Sequence, residues 1–465
     1  MLNNQKFNTF CLNHRLEISI FLLALVVRIA LFAINFQAAG SDLLTAIHGD
    51  DGYYEISQGL LSGHGFTGSV EEPFSPNPLR PPLWPAMIAG LVYIFGSYWA
   101  VAIFELIIAS LVSVLGMKIA SGLFDRKRLT VLVGIFLAIE PYGVFLSTNM
   151  YSETIFTFLF LAFFVFVIRY CKNASLRNAA WMAMFLGLSI LAKATVQYFP
   201  FIIPFFMLYI GRNNLTKSVW RNIFVFVLII LALLGPWLYR NYREFGVWGM
   251  SAQPAFNLFV YLVPTALSID NGTNFAVELD NFVYKKGIDV NSINLSNSDY
   301  YSSQALTVLQ DHKLALVKSF GTTMVTFFTH DGMLSVLAHT GVTFPNNLSQ
   351  PALSLLLNDP GKLVDIIAGY IASPAVLILV IRLVWICITS LFFIGIWKAW
   401  SKKEINLPAL TALLIILYFA LTTTINGLGV NARFRTPVNI FIFSFALYGL
   451  FSFGFVRKLK RNQEQ

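Results

Sequence analysis

Long apolar runs alternate with short polar segments along most of the chain, and many of these runs contain almost no charged residues. An α-helix needs roughly 20 apolar residues to cross about 30 Å of hydrocarbon. The pattern therefore predicts an all-α polytopic membrane protein, with a bundle of about 10–12 transmembrane helices. The runs that we predict to span the membrane are residues 16–39, 97–124, 130–147, 152–170, 179–195, 198–210, 222–238, 373–397, 407–425 and 437–456.

Two further apolar runs do not fit a simple crossing. Leu83–Phe95 has only 13 residues, so we interpret it as a helix that lies at the outer surface or re-enters it. Residues 319–342 are long enough to cross but contain His330, Asp331 and His339. Because ionisable side chains are costly in hydrocarbon, we interpret this second run as a helix lying on the membrane.

The basic residues indicate how the chain is oriented. The net charge is +9, but Lys and Arg occur in short clusters between apolar runs, as at residues 126–128. Cytoplasmic enrichment of basic residues explains this distribution better than nucleic-acid binding does. Lys6 and Arg15 precede the first span, which predicts a cytoplasmic N-terminus and an external first loop at residues 40–97.

This orientation divides the chain into three predicted regions. Residues 1–245 form an N-terminal transmembrane catalytic module, which includes the first external loop. Residues 246–362 form an extracytoplasmic loop region with amphipathic helices, because their composition is more polar. Residues 363–465 supply the C-terminal transmembrane helices.

The first external loop contains two adjacent acids, Asp50 and Asp51. A carboxylate at an outer bilayer surface stays ionised while it faces a lipid-borne substrate, so this pair is a candidate general base. A solvated turn explains it equally well, because Asp-Gly is a common turn pair.

Other ionisable residues are predicted on the same side of the membrane. Arginine binds phosphate through two parallel hydrogen bonds, so acids and arginines together fit a reaction on a phosphate-bearing lipid. Each residue also has a structural explanation: a helix cap for Glu153, snorkelling for Lys193, and headgroup anchoring for the late arginines. The candidates in this set are Arg80, Glu153, Lys193, Arg240, Arg433 and Arg435.

Several blocks resemble glycosyltransferase family 39 and its relatives, the protein O-mannosyltransferases and the bacterial aminoarabinose transferases of lipid A. Residues 48–54 (HGDDGYY) resemble an acid-acid-x-x-Tyr signature, which adds Tyr54 to the candidate substrate-binding residues. Here the second acid, often Glu in the family, is Asp51. Residues 246–362 show no pattern that matches the folded external domain of protein mannosyltransferases. The other matching blocks are residues 63–66 (GHGF), 80–85 (RPPLWP), 151–154 (YSET), 235–241 (GPWLYRN) and 433–437 (RFRTP).

The resemblance implies a GT-C fold and transfer of a sugar, with inversion, from a polyprenyl-phosphate carrier on the extracytoplasmic side. It implies that Asp50 is the base and that Asp51 and Glu153 tune it or position the acceptor. By the same resemblance the lipid phosphate is held by four arginines, namely Arg80, Arg240, Arg433 and Arg435.

We therefore expect a polyprenyl-phosphate-sugar-dependent glycosyltransferase in a bacterial inner membrane, with its site on the periplasmic side. The acceptor is a lipid, a glycan or a protein, and the donor a monophosphate or a diphosphate. No metal or other cofactor is expected, because no cluster has metal-ligand spacing and arginine can neutralise the leaving group. Nucleic acid is not an expected partner.

The alternative is a transporter or flippase of lipid-linked sugars. It predicts internal repeats and several ionisable residues near the bilayer midplane. The sequence shows no internal repeat, and only Arg28 and Arg382 lie well inside predicted spans.

Overall fold

The computed structural model describes residues 14–213, 215–342, 360–427 and 431–453. Within these residues all regular secondary structure is helical, apart from an isolated bridge between Thr67 and Pro76. Lys6 and the basic residues 457–461, which the topology prediction used, lie outside the described residues. The helices of the first half are α1 Arg15–Ala38, α2 Leu43–Ile47, α3 Tyr53–Leu61, α4 Leu83–Phe95, α5 Trp99–Leu123, α6 Lys127–Ile139, α7 Pro141–Leu146, α8 Glu153–Lys172, α9 Leu176–Ala192, α10 Phe199–Gly211 and α11 Lys217–Phe245.

The second half contains shorter helices before it returns to long apolar ones. A π-helical turn, Asn257–Leu262, lies between two of the short helices. The helices of this half are α12 Gln253–Phe256, α13 Val263–Asn271, α14 Phe275–Phe282, α15 Ser298–Asp311, α16 Lys313–Thr329, α17 Met333–His339, α18 Pro360–Ile371, α19 Val376–Ser401, α20 Leu407–Thr423, α21 Asn431–Arg435 and α22 Asn439–Ser452.

Seven helical segments of the described chain are long and apolar enough to cross a membrane. Five are the helices α1, α5, α8, α11 and α19, and the others are residues 407–426 and 431–452. Three shorter apolar helices, α4, α9 and α10, accompany them. The protein is an integral multi-pass membrane protein, and the predicted all-α membrane fold is confirmed. The short apolar run at Leu83–Phe95 forms a helix with the predicted bounds.

The predicted span at residues 130–147 is wrong as a continuous helix. The chain breaks at Glu140, whose backbone is extended (φ −60°, ψ 118°) before Pro141 begins α7. A residue that precedes proline avoids helical geometry, and proline has no N–H to continue the ladder. The Glu140 carboxylate accepts hydrogen bonds from the N–H groups of Tyr142 and Gly143 at 3.3 and 2.7 Å, which caps the new helix.

Buried Arg28 stabilises the other side of this break. Its guanidinium donates to the carbonyls of Ala138 and Leu137 at 3.1 and 3.3 Å. These carbonyls lie in the last turn of α6, where the helix offers them no partner of its own. Arg28 therefore caps a helix end inside the bundle.

The second run that did not fit a crossing, residues 319–342, is also divided. Helix α16 ends at Thr329, and α17 begins at Met333 after Gly332, which has φ +70°. A Cβ at Gly332 would collide with the ring of Tyr142, so only glycine allows this approach. The end of α16 is not on a surface as expected: Phe327 is fully buried in the main core.

Residues 253–316 have a small hydrophobic core of their own, which sequence composition did not reveal. Phe259 contacts Phe282 and Tyr301 in this core, with ring centroids 4.8 and 5.0 Å apart. The π-helical turn belongs to the same core and also packs against residues 424–426. The region that the sequence predicts to be extracytoplasmic thus contains a packed helical layer with its own core.

The main core surrounds two long segments, α8 and residues 431–452, which are the most buried of the apolar helices. Aromatic rings fill the space between α8 and its neighbours, as where Phe160 meets Phe199 and Phe419. Glu153 is the first residue of α8, and Arg433 lies near the start of the other segment. The two most buried segments therefore begin beside each other, and each places a charged residue there.

Candidate functional site

A cavity of about 380 Å³ lies where α8 and α21 begin. Its wall combines charged side chains from the first external loop, the end of α9 and α21 with aromatic and amide side chains. The charged residues that line it are Asp51, Arg80, Lys193 and Arg433.

Arg433 is the centre of the charged wall. Its Nε donates to Glu153 Oε1 at 2.5 Å and its Nη2 to Glu153 Oε2 at 3.0 Å. The same guanidinium forms an ion pair with Asp51 and lies over the ring of Tyr151, 4.4 Å from the ring centroid. Two carboxylates therefore hold one guanidinium in a fixed orientation at the cavity wall.

Glu153 lies behind that wall and is only 1% exposed. It also forms an ion pair with Lys193, the residue that caps the C-terminal end of α9. Burial lowers the pKa of Lys193, although the neighbouring carboxylate acts in the opposite direction. On its far side Glu153 faces a second, interior cavity of about 40 Å³, which Arg28 and Glu140 also line.

Arg80 joins the first external loop to this cluster. Its Nη2 lies 3.2 Å from Asp51 Oδ1, and its Nε donates to the Asp51 carbonyl at 2.8 Å. Its guanidinium also lies 5.5 Å from the ring centroid of Tyr53. Burial raises the pKa of Tyr53 to about 12, so the phenol stays neutral and donates to Ser152 Oγ at 2.9 Å.

Asp50 is exposed and differs from Asp51 in its partners. It accepts a hydrogen bond from the Tyr151 hydroxyl at 2.8 Å, and no Lys or Arg of the described chain pairs with it. Tyr151 therefore contacts both Asp50 and Arg433, which places the first acid beside the charged wall. Five predicted site residues, Asp51, Arg80, Glu153, Lys193 and Arg433, are in direct contact through ion pairs, and Asp50 adjoins them.

The structure does not bring Tyr54 or Arg240 into this cavity. The ring of Tyr54 packs instead against His48 and Tyr98, with centroids 4.9 and 5.5 Å away. Arg240 donates to the carbonyls of Asn77 and Phe66 at 3.2 and 3.3 Å, so it fastens the first external loop to α11. Its hydrogen-bonding groups are occupied by the protein, which argues against the predicted role in phosphate binding.

Arg435 is the clearest departure from the predicted site. Its side chain is fully buried and points away from the cavity. It donates to the carbonyls of Phe327 and His330 at 2.8 and 2.7 Å, and its guanidinium lies 3.3 Å from the ring centroid of Trp385. Arg435 therefore caps the C-terminal end of α16 rather than holding a phosphate.

Sequence reasoning missed several residues of the site. Tyr151 was part of a quoted motif but received no role. Gln253, Asn257 and Asn426 line the cavity and come from segments that sequence reasoning did not connect. Isolated amides carry no spacing signal, so only the fold reveals that they meet.

The solved structures that are similar to this chain include three of the oligosaccharyltransferase from Archaeoglobus fulgidus. The complex of this protein, AglB, with an inhibitory peptide and a dolichol-phosphate has a TM-score of 0.48 and 12% sequence identity, and the match covers 96% of this chain and 52% of that one. The apo form has a TM-score of 0.47 and 12% sequence identity, and the match covers 95% of this chain and 52% of that one. The complex with Zn and sulfate has a TM-score of 0.44 and 12% sequence identity, and the match covers 92% of this chain and 49% of that one. The chain thus spans about half the length of these proteins.

No curated protein matches the sequence. Residues 79–239 match the family model for dolichyl-phosphate-mannose-protein mannosyltransferases. The matched part begins just before Arg80 and includes Lys193, two residues of the charged wall, together with Glu153 behind it. Over this third of the chain, the resemblance to the family 39 glycosyltransferases is confirmed.

Proposed function

We propose that this protein is a membrane glycosyltransferase, which transfers a sugar from a polyprenyl-phosphate-linked donor to an acceptor outside the cytoplasm. The observation that carries the proposal is Arg433, held by Asp51 and Glu153 at the wall of a cavity large enough for a ligand. The family match over residues 79–239 supports the same reaction class.

The charged wall suits a phosphate leaving group. Arg80, Lys193 and Arg433 lie together, and the two carboxylates among them keep the cations in place without neutralising all three. Cations that are fixed before the reaction stabilise charge as it develops, with little reorganisation. A lipid phosphate at this wall would gain its second negative charge as the sugar leaves.

Asp50 is the proposed general base. The carboxylate oxygens of Asp51 are occupied by the guanidiniums of Arg80 and Arg433, whereas Asp50 has only the Tyr151 hydroxyl as its side-chain partner within the described residues. Asp50 would take the proton of the acceptor hydroxyl, whose oxygen attacks C1 of the sugar. The bond from C1 to the phosphate oxygen breaks, its electron pair leaves with the phosphate, and the anomeric carbon is inverted.

The proposed location is the extracytoplasmic side of a bacterial inner membrane. Helix α8 contains 20 residues, from Glu153 to Lys172, which separates its ends by about 30 Å. Basic residues concentrate at the far end, where Arg126 pairs with Glu404 at 2.8 Å and α19 ends beside Lys402 and Lys403. Enrichment of basic residues on the cytoplasmic side supports an external cavity.

Purified protein in detergent provides the test, because no membrane then separates two compartments. The donors are radiolabelled mannosyl, glucosyl, galactosyl and 4-amino-4-deoxyarabinosyl undecaprenyl phosphates, and the acceptors are envelope glycolipids, glycans and peptides. We expect one of these donors to release undecaprenyl phosphate with transfer of label to an acceptor. Asp50→Asn should slow this turnover about 10²- to 10⁴-fold.

The matched control is Asp42→Asn, an exposed carboxylate of the same loop that caps α2. It should retain the wild-type rate. The proposal fails if the wild type turns over none of the donors, or if Asp50→Asn and Asp42→Asn behave alike. Movement of label across liposomes without any turnover in detergent would favour a flippase instead.

A further inference from the structure

Three amide side chains form a hydrogen-bonded row along one wall of the same cavity. Arg80 Nη1 donates to Gln253 Oε1 at 3.3 Å, and Gln253 Nε2 donates to Asn257 Oδ1 at 2.6 Å. Asn257 Nδ2 in turn donates to Asn426 Oδ1. The row connects the charged wall to the end of α20, across more than 160 residues of sequence.

All the hydrogen bonds of this row run in one direction. Each amide accepts on its oxygen and donates from its nitrogen, starting from a guanidinium. Chains of this kind polarise one another, which strengthens the last donor. That donor is the NH₂ group of Asn426, which hydrogen-bonds to no acceptor within the described part of the chain. The cavity wall therefore ends in a polarised donor that is ready for an oxygen acceptor.

The backbone around the row is unusual in two places. Asn257 begins the π-helical turn, a geometry that is rare and is often found at functional sites. Gly427 has φ +62°, and a Cβ at this position would collide with Thr265 Oγ1. Glycine thus allows the end of α20 to lie directly against the segment that carries Asn257. The fold brings the two asparagines together by a close approach that larger residues prevent.

An uncharged amide row and a charged wall suit different parts of one ligand. Phosphate fits Arg80, Lys193 and Arg433, whereas neutral hydroxyl groups fit amides. A free N–H₂ donor binds a hydroxyl oxygen but not an ammonium group, which has only donors to offer. The cations nearby repel an ammonium group as well.

Resting on the proposed function, we infer that the amide row is the subsite for the transferred sugar, and that this sugar is an uncharged hydroxylated ring rather than an amino sugar. Asn426 donates a hydrogen bond from its free NH₂ group to a hydroxyl oxygen of the ring. Asn257 and Gln253 hold Asn426 in place and link it to Arg80, so that sugar and phosphate are positioned together.

Equilibrium binding to the protein in nanodiscs distinguishes the contribution of the charged wall from that of the amide row. The probes are undecaprenyl phosphate, its mannosyl, glucosyl and galactosyl esters, and its 4-amino-4-deoxyarabinosyl ester. The wild type should bind at least one neutral glycosyl lipid more tightly than the bare lipid phosphate, and the aminoarabinosyl lipid less tightly than that one. Asn426→Leu should weaken the preferred neutral lipid about 3- to 10-fold and leave undecaprenyl phosphate binding unchanged.

Asn426→Asp is the second variant, because it keeps the shape and the oxygen that accepts from Asn257. It replaces the donor by an acceptor, so the preference should shift toward the aminoarabinosyl lipid. The matched control is Asn291→Leu, an exposed asparagine of the same helical layer that does not line the cavity, and this variant should bind every probe like the wild type.

The outcomes distinguish this inference from the proposed function. If the wild type binds glycosyl lipids but both Asn426 variants keep its preferences, the inference is overturned and the proposed function stands. The inference is equally overturned if the aminoarabinosyl lipid is the preferred wild-type ligand. If the wild type binds neither undecaprenyl phosphate nor any of its esters, the proposed function fails, and the inference fails with it.

Discussion

Arg433 and Arg435 lie two positions apart in α21, and both guanidiniums lie over an aromatic ring, yet their hydrogen-bond partners differ. Arg433 faces a cavity and is paired with the carboxylates of Asp51 and Glu153. Arg435 is surrounded by protein and donates to backbone carbonyls and to Asn439 Oδ1. Residues two apart on a helix point to different sides, so one turn of α21 supplies both the charged wall and a helix cap.

The partners of each arginine therefore indicate its role. A guanidinium that meets carboxylates beside open space can exchange part of its pairing for a phosphate. One whose donors are taken by carbonyls at a helix end, like Arg435 or Arg28, would leave buried acceptors unpaired if it moved. We expect the first kind to affect activity and the second to affect stability.

The largest expected effect is on activity, at the cavity. Arg433→Lys keeps the charge but loses the fork of donors that binds two carboxylates or a phosphate. We expect kcat/KM for the glycosyl donor to fall about 10²-fold or more. Melting in detergent checks that the variant is folded. Wild-type kcat/KM in a folded Arg433→Lys protein would contradict the assignment of the charged wall.

The next largest expected effect is on stability, at Arg435. Arg435→Lys cannot reach the carbonyls of both Phe327 and His330, so at least one buried acceptor loses its partner. We expect the free energy of unfolding in micelles to fall by about 3 kcal/mol. In the fraction that remains folded, donor turnover should stay near the wild-type rate. A loss of turnover without loss of stability would move Arg435 into the functional class and remove the contrast.

The smallest expected effect is on the pH dependence of stability. It concerns His330, which follows the helix that Arg435 caps. Burial lowers the pKa of His330 to about 4, and its Nδ1 accepts from the Gly332 N–H at 3.1 Å. The folded state therefore keeps His330 neutral, whereas the unfolded chain takes up a proton below about pH 6.5. Stability should fall as the pH decreases from about 6.5 to about 4, by about 2–3 kcal/mol.

The matched variant for this prediction is His330→Asn, which does not titrate in that range. Unfolding free energies of both proteins are measured at several pH values between 7.5 and 4.5. The difference between wild type and variant should shift in favour of the variant as the pH falls, while other groups titrate equally in both. A constant difference across this range would show that His330 ionises as easily in the folded protein as in the unfolded chain.

Much of the fold could be predicted from the sequence, because apolar length is a strong signal in membrane proteins. The bounds of Leu83–Phe95 agree with the structure, and so does the placement of most long helices. The breaks at Glu140 and Gly332 were missed, although Pro141 and Gly332 are local signals of a helix end. The side chains that stabilise the breaks, Arg28 and Arg435, lie more than 100 residues away and could not be predicted from the local sequence.

The site could be predicted in part. Acids and bases at external helix ends were expected to converge, and Asp51, Arg80, Glu153, Lys193 and Arg433 are found together. The roles of these residues stay predictions. Arg240 and Arg435 are arginines like Arg433, and the sequence predicts all three on the same side of the membrane. Only tertiary packing distinguishes them, since it decides which guanidinium faces open space.

The start of α8 beside α21 has a consequence for how a bulky lipid reaches the cavity. Glu153 and Arg433 belong to the two most buried apolar segments of the described chain, so the wall that they support is rigid. Gln253 and Asn257 belong instead to the helical layer that has its own small core. A bulky lipid would therefore enter between a wall fixed by the bundle and a wall that belongs to a separate core.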